Sequence, residues 1–347
     1  MAPFSQAKSL PRAVRAARPS GGRFSSISAG NRVPPARHAS RLSSWTDTIL
    51  RSPEVSGDAA RGCRLSGHAR AAVRQRRRVV LSRRRDTTLR MTQELAGRVA
   101  IVTGASSGIG RATALAIAEA GAELLAVGRD EVALDELIVD IGRRGGRAEA
   151  FVADVTRPES PAQIVAVALE RFGNLDILVN AAGIIDSGTI ETTTDEAWAK
   201  MMAVNVTAPF ALMRAATPHL ADREGAIVNV SSVTGARAFP GVLSYCVSKA
   251  ALDHLTRCAA LELAPKRVRV NAVQPGVVVT NLHRRSGMEE RQYAAFLERA
   301  KETHPLGRPG DAPEVADLIV FLASPRASWI TGETIAIDGG RHLTCAR

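Results

Sequence analysis

Val99-Ala100-Ile101-Val102-Thr103-Gly104-Ala105-Ser106-Ser107-Gly108-Ile109-Gly110 is the stretch on which the fold turns. Four apolar residues run without polar alternation into a glycine-rich turn, and helical spacing follows over 111–120. An apolar strand with no polar face is covered on both sides, as in a parallel sheet. Glycines between such a strand and a helix let the backbone approach a phosphate, with the helix's first N–H groups aimed at it. Three residues separate Gly104 from Gly108, where the G-x-G-x-x-G fingerprint has one. Taken alone, the turn therefore leaves a tight, ligand-free bend as the alternative.

Outward from this point the same alternation repeats. Apolar strands at 123–127, 148–152, 175–179, 226–230, 268–273 and 334–337 are interleaved with helical spacing at 131–142, 161–172, 196–220, 245–263 and 313–322. With the first strand this makes seven strands and no linker-like break. The pattern predicts one Rossmann-type, doubly wound α/β domain over 91–347, built on a seven-stranded parallel sheet.

Composition divides the 347 residues in two. The net charge of +12 comes from residues 1–90, which hold 20 Lys and Arg against 4 Asp and Glu; residues 91–347 hold 26 against 30. The first ninety residues are rich in Arg, Ser, Ala, Pro and Gly, with no sustained apolar period that could offset chain entropy. They are expected to be a disordered extension, read either as an organelle transit peptide or as an upstream mis-start before Met91. A nucleic-acid-binding arm is disfavoured, because no aromatic interleaving or reader motif accompanies the arginines. No apolar run is long enough to span a membrane. Cys63, Cys246, Cys258 and Cys345 show neither CxxC pairing nor metal spacing, so no metal site is expected and the thiols are read as reduced. A cytoplasmic location follows, or an organelle matrix if the leader is a transit peptide.

The second strand ends Ala126-Val127-Gly128-Arg129, with no acid at its tip. An acid there suits the ribose 2′-OH of NAD, whereas a cation suits a 2′-phosphate. NADP(H) is therefore the expected cofactor and NAD(H) the alternative, with Asp130 placed to neutralise Arg129 in part.

Further motifs follow in order: TGASSGIG at 103–110, Asp154-Val155 after the third strand, NAAG at 180–183, Asn205 within MAVNV, Ser232 within NVSSVTG, YCVSK at 245–249 and PGVVVT at 275–280. With the closing segment at 305–340, residues 96–343 resemble the short-chain dehydrogenase/reductase family, in its 3-oxoacyl-carrier-protein-reductase-like branch. Ala181 stands where many relatives carry a second Asn. The resemblance implies that Tyr245 exchanges a proton with the substrate oxygen and that Lys249 holds the nicotinamide ribose. It gives Ser232 the role of orienting the carbonyl, and Asn205 that of holding a water that relays protons to Lys249. It also implies cofactor contacts at Gly104, Ser106, Ser107, Gly108, Ile109 and Gly110. Asp154 and Val155 would border the adenine, Asn180, Ala181 and Gly183 its ribose, and Pro275, Gly276, Val278 and Thr280 the carboxamide.

The physics of the pair agrees with such a role. Tyr245 and Lys249 are four apart on a helix, so they share a face. A free phenol titrates near about 10, and an adjacent ammonium is expected to bring it toward neutrality. Ser231 competes with Ser232, and the motif spacing selects Ser232. Asn is disfavoured mid-helix, which singles out Asn205.

The substrate end is less definite. Arg284 and Arg285 are either an anion contact or a solvated face, and Tyr293, Phe296 and Leu297 either a lid or packing on the body. A 3-oxoacyl thioester, a sugar, a steroid and another secondary alcohol all remain as substrates, and a non-catalytic cofactor-binding protein as the alternative class. The family resemblance implies a homotetramer or homodimer, packed through the helix at 245–263 and the segment 329–337.

Overall fold

The structure, a computed structural model, describes residues 93–344. The basic stretch 1–90, and with it Cys63, lies outside the described residues, as does Cys345. The strands are β1 (Val99–Thr103), β2 (Glu123–Gly128), β3 (Ala148–Val152), β4 (Ile177–Asn180), β5 (Ala226–Val230), β6 (Arg269–Pro275) and β7 (Thr334–Ile337). The helices are α1 (Gly108–Glu119), α2 (Glu131–Arg143), α3 (Ser160–Phe172), α4 (Asp195–Met202), α5 (Ala208–Asp222), α6 (Val233–Ala236), α7 (Leu243–Leu263), α8 (Leu282–Arg285), α9 (Glu290–Thr303) and α10 (Ala312–Ala323).

All seven strands pair in parallel, in the order β3-β2-β1-β4-β5-β6-β7. The apolar runs explain why. Every residue of β1 is buried, and successive side chains enter opposite cores, as the period of two requires. Ala100 and Val102 join α1, α2 and α10 on one face. Ile101 joins α3, α5 and α7 on the other. Chain direction across the sheet reverses between β1 and β4, which leaves a crevice at the C-terminal ends of these strands, where such folds bind ligands.

The helix expected over 196–220 is interrupted. Between α4 and α5 lies a single π-turn, Ala203–Thr207, in which Asn205 is fully buried. Pro209 accounts for the break: it has no N–H to offer the carbonyl of Asn205, four residues earlier. The opposite, N-terminal end of the sheet is closed by Asp176. Its buried carboxylate accepts from Val99 N–H at 3.0 Å, Arg98 at 2.7 Å and Arg223 at 3.1 Å. No helix among the described residues is long and apolar enough to cross a membrane.

Candidate active site

The glycine-rich turn is shaped by close approach. Gly104 has φ +68°, and a Cβ there would lie 2.8 Å from the backbone of Ala181 and Ala182. A Cβ on Gly110 would collide with the carbonyl of Gly104. Thr103 knits the turn to the NAAG segment, its hydroxyl accepting from Ala181 and Ala182 N–H at 3.2 Å each. Ser106 packs against Gly128 at the end of β2, and Ile109 sends its side chain into the core. Ser107, at the N-cap of α1, makes no side-chain bond to the helix; its hydroxyl instead accepts from Arg285 at 2.8 Å. Gly108 lies against Thr280, where a Cβ would come within 3.2 Å of the Thr280 side chain. Turn, NAAG segment and the loop after β6 therefore meet at one place.

At the next strand ends, Arg129 is exposed. Asp154 is held below the usual carboxylate range, chiefly by hydrogen bonds from the Thr156 backbone and hydroxyl, with smaller help from Arg129 and Arg157. Val155 packs its side chain on the core beside α3. Asn180, expected to let the chain pass close to the adenine ribose, turns its side chain to the neighbouring strand. Its buried side chain points into the sheet, with Nδ2 donating to Asn229 Oδ1 at 2.9 Å, and Asn229 continues to the Thr256 hydroxyl. The cause is position: β5 lies directly beside β4, with Asn229 opposite Asn180 in the register.

Lys249 is buried on α7, and its Nζ donates to the Val230 carbonyl at 2.9 Å, 5.6 Å from the centroid of the Tyr245 ring. Burial lowers its pKa to about 8, against a smaller upward pull from Asp253. Tyr245 corrects an expectation. Burial pushes the phenol up to about 12, its hydrogen bond with Ser232 working the other way, and Lys249 is not among the causes of the shift. Desolvation of the phenolate is the largest effect on it. Ser231 and Ser232 separate cleanly: Ser231 turns to the Lys249 carbonyl and Asp253, whereas Ser232 reaches Tyr245 and caps α6 through Thr234 N–H.

Asn205 is tied to the neighbouring loop at both ends of its amide. Oδ1 accepts from Ile184 N–H and Nδ2 donates to the Ile184 carbonyl, each at 3.0 Å, with a further bond to the Ser248 hydroxyl. Gly183 sits between this amide and the lysine: a Cβ there would lie 3.4 Å from Asn205 Oδ1 and 3.5 Å from Lys249 Nζ. Ser232, Tyr245, Lys249 and Asn205 thus converge at the ends of β4 and β5.

The loop Pro275 to Thr280 closes the site on the β6 side. A Cβ on Gly276 would meet the Asp338 backbone and the His304 ring at 2.9 Å, and Val278 pairs with Gly310. Tyr293 is buried against this loop, so its part of α9 packs on the body instead of forming a lid. Phe296 is half-buried beside His283, at 4.5 Å between ring centroids. Thr103 opens the TGASSGIG motif, but its hold on the NAAG segment is not visible in the sequence. Sequence reading missed His304, since an isolated His carries no periodic or motif signal.

Glycines that leave no room for a Cβ, an uncapped helix N-terminus and a buried Ser–Tyr–Lys set define a dinucleotide-dependent oxidoreductase site. Comparison with known proteins agrees. Residues 104–342 match a family model described as enoyl-(acyl carrier protein) reductase. The chain is 38% identical to a 3-oxoacyl-(acyl-carrier-protein) reductase of Thermotoga maritima, over 71% of this chain and 98% of that protein. It is also 38% identical to 2,5-dichloro-2,5-cyclohexadiene-1,4-diol dehydrogenase of Sphingobium indicum, over 72% of this chain and 98% of that protein. A short-chain dehydrogenase/reductase of unknown function from Caenorhabditis elegans, solved with cofactor, superposes with a TM-score of 0.69 at 36% identity, covering 72% of this chain and 97% of that one. The chain belongs to the short-chain dehydrogenase/reductase family. It is an oxidoreductase acting between carbonyl and CH–OH groups.

Proposed function

We propose that the protein reduces a 3-oxoacyl thioester, or a carbonyl compound like it, with NADPH, and runs the reverse alcohol oxidation when conditions favour it. The observation that carries this reading is the buried Tyr245 hydrogen-bonded to Ser232, with Lys249 one turn further along the same helix. Bound dinucleotide would supply or accept the hydride. The glycine-rich turn at Gly104–Gly110 and the N-terminus of α1 would hold its pyrophosphate, and the loop from Pro275 to Thr280 its nicotinamide end. Arg129, exposed at a strand end without an acid at the tip, supports NADP(H) over NAD(H).

Ser232 donates a hydrogen bond to the substrate carbonyl oxygen and fixes its direction. Tyr245 is protonated at neutral pH, which is the form needed to give a proton to that oxygen as it becomes an alcohol. Lys249, cationic below about pH 8, holds the adjacent ribose. Asn205 supports the proton route to the lysine by holding Ile184 and a relay water. A cyclic secondary alcohol is the second reading, favoured by the equal identity to the cyclohexadienediol dehydrogenase.

A panel of acetoacetyl thioester, cyclic ketones and the matching alcohols, run with NADPH and with NADH, tests substrate and cofactor together. Tyr245→Phe should lower turnover about 10²–10⁴-fold while NADPH still quenches tryptophan fluorescence. Retained turnover would overturn the mechanism. We further propose that copies pair through α7 and the β7 edge, where Leu261 and Trp329 are 79% and 98% exposed. Trp329→Glu should then give a smaller species in light scattering.

A further inference from the structure

The loop after β6 is held from behind by α9 and the residue that ends it. The Tyr293 hydroxyl donates to the Thr280 carbonyl at 2.9 Å and accepts from the Thr280 N–H at 3.2 Å. At the loop's other end, Val277 N–H donates to His304 Nε2 at 3.1 Å. An amide can only donate, so Nε2 must carry a lone pair and the proton sits on Nδ1. From there it bonds to the Ala300 carbonyl at 2.7 Å. His304 is buried, and burial holds its pKa below the usual histidine range, consistent with a neutral ring.

Between these anchors, Val279 N–H donates to Gly310 O at 3.0 Å and Gly310 N–H to Val277 O at 2.9 Å. Five backbone polar groups within four residues therefore have fixed directions. Two side chains supply three of the five bonds, and Thr280 itself abuts the glycine-rich turn at Gly108. Val277 and Val278 are buried, so the loop must satisfy its backbone within the protein. What marks it is that side chains from α9 and its C-cap supply most of those bonds.

We infer that Tyr293 and His304 are positioning residues for the nicotinamide end of the cofactor: they set the conformation of Val277–Thr280 against which that ring is aligned. This rests on the reading of that loop given under Proposed function. Tyr293 and His304 act through the backbone of the loop, so the adenine half of the dinucleotide is outside their reach.

That difference supplies the test. Wild type, Tyr293→Phe, His304→Phe and His304→Gln are titrated by calorimetry with NADPH and with 2′,5′-ADP, which lacks the nicotinamide, and in parallel with NADH and ADP. Tyr293→Phe and His304→Phe should each weaken the whole dinucleotide about tenfold and leave the fragment unchanged. His304→Gln should recover most of the loss, since its amide oxygen can accept from Val277 N–H. Equal affinity of all variants for the dinucleotide overturns the inference. So does a loss shared equally by dinucleotide and fragment, which would mark a merely structural role; Tyr293→Phe, missing one oxygen atom only, guards against reading a misfolded variant as that result. Failure of wild type to bind either dinucleotide overturns the functional reading itself, and the inference with it.

Discussion

At the scale of single residues, Tyr245 and Lys249 carry opposite consequences of the same burial. Desolvation raises the phenol to about 12 and lowers the ammonium to about 8, because each is pushed toward its neutral form. The free enzyme should therefore lose kcat/KM for carbonyl reduction as pH rises through about 8, when Lys249 gives up its proton, with Tyr245 still protonated. Such profiles report the free enzyme's groups, and a profile flat from pH 7 to 9.5 would contradict the assignment. The residue types and their i, i+4 spacing are legible in the sequence. Their protonation is not, since it depends on how deeply α7 is buried and on Lys249 turning to the Val230 carbonyl. The choice between Ser231 and Ser232 is likewise available from motif spacing, but its reason, the Ser231 hydroxyl turning to the Lys249 carbonyl, needs the fold.

At the scale of elements, the turn between β1 and α1 has almost no tolerance. Gly110→Ala would place a methyl group on the Gly104 carbonyl. Such overpacking costs about 1–3 kcal/mol, and the shifted backbone should weaken dinucleotide binding as well as lower the melting temperature. An alanine variant with unchanged Tm and affinity would show that the turn yields. Hydrophobic period alone is enough to find the strand and the helix on either side of this turn. It is blind to the π-turn at Ala203–Thr207, because apolar spacing continues through it; Pro209 is the one local sign that the ladder must open. It is equally blind to the role of α9. Tyr293, Phe296 and Leu297 have lid-like spacing, yet the Tyr293 hydroxyl is committed to Thr280.

At the scale of the whole molecule, parallel strands put all the chemistry at one pole of the sheet and the Asp176 clasp at the other. Asp176→Ala would strand the Val99 N–H and release Arg98 and Arg223. Leaving a buried donor unpaired costs about 1–3 kcal/mol, so the melting temperature should fall while KM for cofactor and substrate stays at the wild-type value. A change in KM without a change in Tm would show that the poles communicate. The sequence makes the alternation of strands and helices legible, and with it the class of sheet. It leaves the clasp hidden, because Arg98, Asp176 and Arg223 are far apart in the chain and meet only when β1, β4 and β5 are side by side.

The clasp also bears on how such a protein can change over time. Durability is adjustable at one pole and selectivity at the other, so a lineage can adapt to a hotter habitat by substitutions around Asp176 without surrendering its substrate. It can equally recruit a new substrate through the loops at the far pole without first unmaking the scaffold. Physical separation of the two ends along strands a few residues long is what lets those two histories proceed independently.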